Sequence, residues 1–212
     1  MNRPAPTDVP LRLAAGPADG WIPLPLDPGV DAHAWALDVL VLLAHELPAH
    51  ERQALDAERV AASAGHLARV AALAREDCDP DADLAFALVL RPDHPVLAWA
   101  DIAAGTDPRF VEAVDAAFAG EDARWTVHSE RTEVELPAGP AVRLRSVVAP
   151  LDPPPGAAPH GEGVDHLVRL RGGGRAVLRS RWTRLAAGDE LAAAVDALAA
   201  TVAVEPLEPA AP

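Results

Sequence analysis

Residues 125–184 carry four consecutive segments, WTVHSERTEVEL, AVRLRSVVA, VDHLVRLR and RAVLRSRW, that read as strands, and any fold of this chain has to accommodate them. A loop at 137–141 sets Leu136 against Val142, Val134 against Leu144 and Thr132 against Ser146. The opposite side then pairs Glu135 with Arg143 and Glu133 with Arg145, so one register explains an apolar face and two ion pairs. A slip of one residue loses both. The second hairpin turns at Gly172, Gly173 and Gly174, which accept positive φ at no steric cost. Pairing Arg171 with Arg175 sets Leu170 against Ala176, Val168 against Leu178, His166 against Ser180 and Val164 against Trp182. Arg169, Arg179 and Arg181 fall on the other side, with Asp165 opposite Arg181. The expectation is an antiparallel sheet with one packed face and one polar face rich in arginine.

Half of the 212 residues are apolar but only 4% are aromatic, so the core has to be built from Ala, Val and Leu. Every one of the 18 basic residues is Arg, a bias that, with the many Ala and Pro, matches a GC-rich genome of actinobacterial type. The net charge of −14 argues against nucleic-acid binding, which relies on a basic surface. Cys78 is the single cysteine, which excludes an internal disulfide and a multi-cysteine zinc site. No apolar run has the length of a membrane span, and MNRPAPTDVP lacks the apolar stretch of a signal peptide, so a cytoplasmic protein without membrane contact is expected. The chain reads as one α+β domain over 9–204, between a loose lead at 1–8 and a disordered tail at 205–212.

Outside the four-strand block, VPLRLAAG and WIPLPL read as a short hairpin, with Pro23 and Pro25 placing the second strand at an edge. Asp31 is the expected N-cap of a well-buried helix reaching Leu47, where Pro48 stops it. A second helical run extends to about Glu76, with a break near Ser63 to Gly65 because Gly weakens a helix interior. LAFALVLR and VLAWADIAAG read as central strands. Thr106-Asp107-Pro108 starts a further helix, which should end at Gly120. Asp189 opens the last helix, carrying Leu191, Val195, Leu198 and Val202. The Pro-rich stretch LDPPPGAAPHGEG is expected to be the longest loop.

Several motifs invite a chemical reading. HELPAHE resembles the H-E-x-x-H zinc motif, but His45 and His50 are five apart, about 500° around a helix, and point roughly 140° from each other. Both are expected to face solvent. The alternating acids Asp77, Asp79, Asp81 and Asp83 lack the glycine and distal glutamate of an EF-hand loop, and an acidic loop is the better reading. RGGGR is no P-loop, since no lysine follows it. No metal or cofactor is expected. His166 facing Ser180, with His128 on a strand from which it could meet His166 across the sheet, outlines an alternative small-molecule or enzymatic pocket that lacks a nucleophile elbow and a third residue. Trp21, an aromatic residue beside prolines, is the expected exposed contact residue.

The element order, together with GWIPLPL near the start and the closing VLRSRWTR and DELAAAVDALAATV, resembles the Mog1/PsbP-like fold, an α/β/α sandwich in which an antiparallel sheet packs against helices. That resemblance implies a non-enzymatic binding or assembly role. The expected partner-binding residues are Trp21, Arg143, Arg145, Arg179 and Arg181; the alternative ligand-binding set is His128, His166 and Ser180. The partner is a protein of unspecified identity, and a homo-oligomer through an open sheet edge is a further possibility.

Overall fold

A computed structural model describes residues 11–16, 18–78, 83–118, 126–148, 161–171 and 173–206. The chain is α+β. In order it forms β1 (Leu11–Ala15), β2 (Trp21–Pro23), α1 (Ala32–Glu46), α2 (Ala49–Gln53), α3 (Ala57–Asp77), β3 (Leu84–Leu88), β4 (Ala98–Gly105) and α4 (Pro108–Phe118). It continues with β5 (Thr126–Leu136), β6 (Gly139–Val148), β7 (Gly161–Arg169), β8 (Arg175–Arg181), α5 (Gly188–Ala199) and β9 (Val202–Pro206). The loop 149–160, most of the acidic stretch after Cys78, the end of α4 at Gly120, Trp125, the lead at 1–8 and residues 207–212 lie outside the described residues, whereas Glu205 and Pro206, expected in the disordered tail, end β9.

Seven strands form one antiparallel sheet in the order β2-β3-β4-β8-β7-β6-β5. Alternation along β3 shows how it is covered. Phe86 and Leu88 pack in one cluster with Leu191, Ala192, Val195 and Leu198 of α5, whereas Ala85 and Ala87 pack in another with Leu40 of α1 and Leu67 and Val70 of α3. Successive side chains of a strand point to opposite faces, so α5 covers one face of the sheet and the α1–α3 pair covers the other. Val114 of α4 joins this second face against Leu167 and Val177. Small side chains let these layers approach: Ala36, Ala64, Ala71, Ala87 and Ala100 are all fully buried.

Helix starts follow their local signals. Asp31 accepts from the backbone N–H groups of His33 and Ala34, and Asp107 does the same for Arg109 and Phe110 ahead of Pro108. The expected break in the second helix is displaced. α3 runs unbroken through Gly65, and the interruption falls at residues 54–56, where Asp56 caps α3. Burial of one face of α3, at Ser63, Ala64, Leu67, Val70, Ala71 and Ala74, outweighs the local cost of about 1 kcal/mol for one glycine.

Strand partners differ more from expectation. β1 does not pair with β2. It pairs antiparallel with β9, from Leu11 against Pro206 to Ala15 against Val202, so Val202 leaves the helix for a strand. β2 is instead the edge of the large sheet, next to β3.

Both hairpin registers also shift. β5 and β6 join through Pro137 and Ala138 alone, and Leu136 faces Gly139, Val134 faces Ala141 and Thr132 faces Arg143. The pairs Glu135–Arg143 and Glu133–Arg145 therefore do not form; Glu133 faces Val142 and Glu135 faces Pro140. Gly139 permits the tight turn with φ near 150°, and a Cβ there would lie 2.1 Å from the Arg169 carbonyl oxygen. β7 and β8 are offset by two residues, with Val168 against Ala176 and His166 against Leu178. A two-residue offset keeps the same side chains on each face; the odd offset in the first hairpin exchanges them.

Candidate functional site

α1 is the element whose surface chemistry stands apart. Its sequence, AHAWALDVLVLLAHE, is apolar nearly all round, and such a helix is ordinarily enclosed on every side. Here it lies on α3, with Ala36 and Leu40 buried and Trp35, Val39 and Leu43 partly so. The outward side keeps Leu37, Val41 and Leu42 in solvent, at 38%, 52% and 65% exposure. The expectation that α1 is well buried thus holds for one side only, because the other side has nothing packed on it among the described residues. Asp38 and His45 are exposed among these apolar residues, and His33 and Glu46 are exposed near the two ends of the helix.

The five residues expected to bind a partner occupy three different environments. Trp21 is not a surface residue. It is 4% exposed, packs with Phe86 and Leu88, and its Nε1–H donates to the Ala194 carbonyl at 3.0 Å. Arg143 and Arg145 lie on the α5 side of the sheet, since Arg143 faces His166 across the β6–β7 ladder. Arg143 Nε donates to Asp196 Oδ1 at 2.8 Å, and Arg145 donates to Glu162 at 2.6 Å and Asp189 at 2.7 Å. Arg179 and Arg181 are on the other side, where Arg179 faces Asp101 directly across the β4–β8 ladder. The single arginine-rich face is therefore split in two.

These arginines are bound to acids. Asp101 is 3% exposed and accepts from Arg179 Nε at 2.8 Å and Nη2 at 2.5 Å. Burial pushes the Asp101 carboxyl above its ordinary range, and the guanidinium only partly offsets this. Arg181 forks onto both carboxylate oxygens of Asp165, as the sequence reading expects. With Asp77 and Trp99, the Asp101, Arg179 and Arg181 side chains border a shallow opening of about 340 Å³. Cys78 is buried, and burial followed by the charge of Asp101 pushes its thiol up to about 11, so it is a poor nucleophile.

The alternative ligand set does not converge. His166 is 1% exposed and its Nε2 stands 3.0 Å from Asp196 Oδ1, while Nδ1 is buried without a hydrogen-bond partner among the described residues. Ser180 does not face His166. Its Oγ accepts from Val164 N–H at 3.1 Å and donates to Val164 O at 2.6 Å, closing the ladder where the β7–β8 pairing opens. His128 is exposed on β5, opposite Val147. His45 and His50 are exposed at the α1–α2 junction. Among the described residues, no three His, Cys, Asp or Glu side chains come together as a metal site.

Apart from Asp165, the acids that hold these arginines escape the sequence reading, although signals for some of them exist. Asp101 interrupts an otherwise apolar strand, and a buried acid needs a cation. Asp189 and Asp196 are seven residues apart on α5, about 10 Å along one side of the helix, while Arg143 and Arg145, two apart on β6, share one side of the strand about 7 Å apart.

No protein-family model matches the chain, and no curated protein matches it in sequence. No helix among the described residues is long and apolar enough to cross a membrane.

Proposed function

We propose that this chain is a non-enzymatic binding or accessory protein that acts through a protein partner, docked on the outward side of α1. The observation that carries this reading is the exposure of Leu37, Val41 and Leu42 on a helix that is apolar nearly all round. A second copy of the chain would carry the same net charge of −14 and be repelled on approach, so the occupant we assign is a different protein whose apolar patch is ringed by basic groups. The Mog1/PsbP-like reading of the element order belongs to the same proposal. One cysteine, buried and unpaired, is in keeping with a reducing, cytoplasmic compartment.

The test compares the tagged wild-type chain with Val41→Asp and Leu42→Asp, each recovered gently from its native host. Both positions are exposed, so the variants keep the fold, which circular dichroism checks. A stoichiometric basic partner that accompanies the wild type and is lost from both variants supports the reading. Recovery of the chain alone, as a homodimer, or with a partner that the variants retain overturns it.

A further inference from the structure

A cleft of about 620 Å³ opens where α3 passes the turn between β3 and β4 and the segment that follows β8. Its walls are cationic in a protein that is otherwise strongly acidic. Arg59, His66 and Arg69 come from one side of α3, at spacings of seven and three that return to the same helix face. His94 comes from the β3–β4 turn and Arg184 from beyond β8. The turn is fixed to the helix: Ser63 is buried, and its Oγ donates to the His94 carbonyl at 2.8 Å.

Charge accounting within the cleft leaves an excess of cations. Among the described residues that line it, Asp93 is the one carboxylate, and Asp93 already accepts from Arg91 Nε at 3.2 Å. Arg59 has Asp56 at 3.6 Å, in an exposed pair that water screens. Arg69 and Arg184 are exposed and have no acid within ion-pair distance among the described residues. Partial burial, and then the charge of Arg69, hold His66 below the ordinary histidine range. These are surroundings suited to an anion: exposed guanidinium forks, plus imidazoles able to donate without carrying charge.

We propose that this cleft binds a small phosphorylated anion, with the phosphoryl oxygens held by Arg69 and Arg184 and with Arg59, His66 and His94 at its margin. Two unpaired guanidinium groups around one opening match a doubly charged phosphoryl group better than a single carboxylate, and the fork suits oxygen pairs on phosphorus. The volume is that of a small-molecule site. A long nucleic acid, which would reach beyond the cleft, is disfavoured by the chain's net charge of −14. This surface is separate from the outward side of α1, and the inference does not depend on a protein partner.

The experiment is calorimetric titration of the full chain with inorganic pyrophosphate at low ionic strength, repeated with citrate. Saturable binding at one site per chain is expected, weakened about tenfold or more in the Arg69→Gln/Arg184→Gln double variant. Arg171→Gln, at an exposed arginine outside the cleft, should bind as the wild type does. Should the double variant lose stability in urea, Arg69→Lys/Arg184→Lys replaces it; that variant keeps the charges but not the forks, and weaker binding is still expected. No saturable binding, an equal loss in Arg171→Gln, no loss in the cleft variants, or tighter binding of citrate than of pyrophosphate overturns the proposal.

Discussion

Arg143 and Asp196 join the sheet to the helix that covers it, with Arg143 Nε 2.8 Å from the same Asp196 Oδ1 that stands 3.0 Å from His166 Nε2. One carboxylate thus ties β6, β7 and α5 together. Burial alone would raise the Asp196 carboxyl, but the hydrogen bonds from His166 and Arg143 outweigh it and hold the carboxyl below its ordinary value.

A carboxyl held low in the folded state stabilises that state above its unfolded pKa of 3.8, and the contribution disappears as pH falls through the folded value. Urea midpoints of the wild type should therefore fall on acidification below about pH 4. Asp196→Asn should be less stable than the wild type at pH 7, and the gap should narrow toward pH 3. A gap that is the same at both values would show that Asp196 contributes through packing and not through its charge.

Asp101 and Arg179 predict an asymmetry. Asp101 is buried while the Arg179 side chain is 49% exposed, so the arginine can turn to water if its partner is neutralised and the aspartate cannot. Arg179→Met should cost about 3 kcal/mol at pH 7, and Asp101→Asn about 1 kcal/mol. The Asp101 carboxyl is already above its ordinary value, and losing Arg179 raises it further. A raised carboxyl loses stability as pH rises through the folded pKa, so the deficit of Arg179→Met should shrink on acidification. Denaturant titrations at pH 7 and pH 4.5 measure it.

Gly188 makes room for a buried acid. A Cβ at this first residue of α5 would lie 2.3 Å from Glu162 Oε2, the oxygen that accepts from Trp182 Nε1–H at 3.1 Å. Gly188→Ala should displace Glu162 and cost about 1–3 kcal/mol in urea unfolding, with a change in the emission of the buried Trp182. Unchanged emission and stability would mean that α5 shifts freely on the sheet.

Where the signal is local, sequence and structure agree. Asp31 and Asp107 cap the helices they precede, Pro23 falls in an edge strand, and the fork of Arg181 on Asp165 forms even though the register around it moves by two. The candidate site was less legible. The periodicity of α1 shows an apolar helix, but which of its sides meets α3 depends on residues distant in sequence, so the exposure of Leu42 has no local signature. The lining of the cationic cleft spans residues 59 to 184, which no local pattern connects.

The sequence by itself determined the α+β class, the starts of α1 and α4, and the four-strand block with the face composition of β7 and β8, because caps, turn residues and side-chain alternation act over a few residues. Tertiary structure decided the partner of β1, the continuity of α3 through Gly65, and the side of the sheet on which each arginine lies. The last of these turned on the ladders that join the two hairpins, where Arg143 faces His166 and His166 faces Leu178, while Arg179 faces Asp101. This pairing between segments distant in sequence put Arg143 and Arg145 on the face where α5 presents Asp196 and Asp189, and Arg179 and Arg181 on the opposite face.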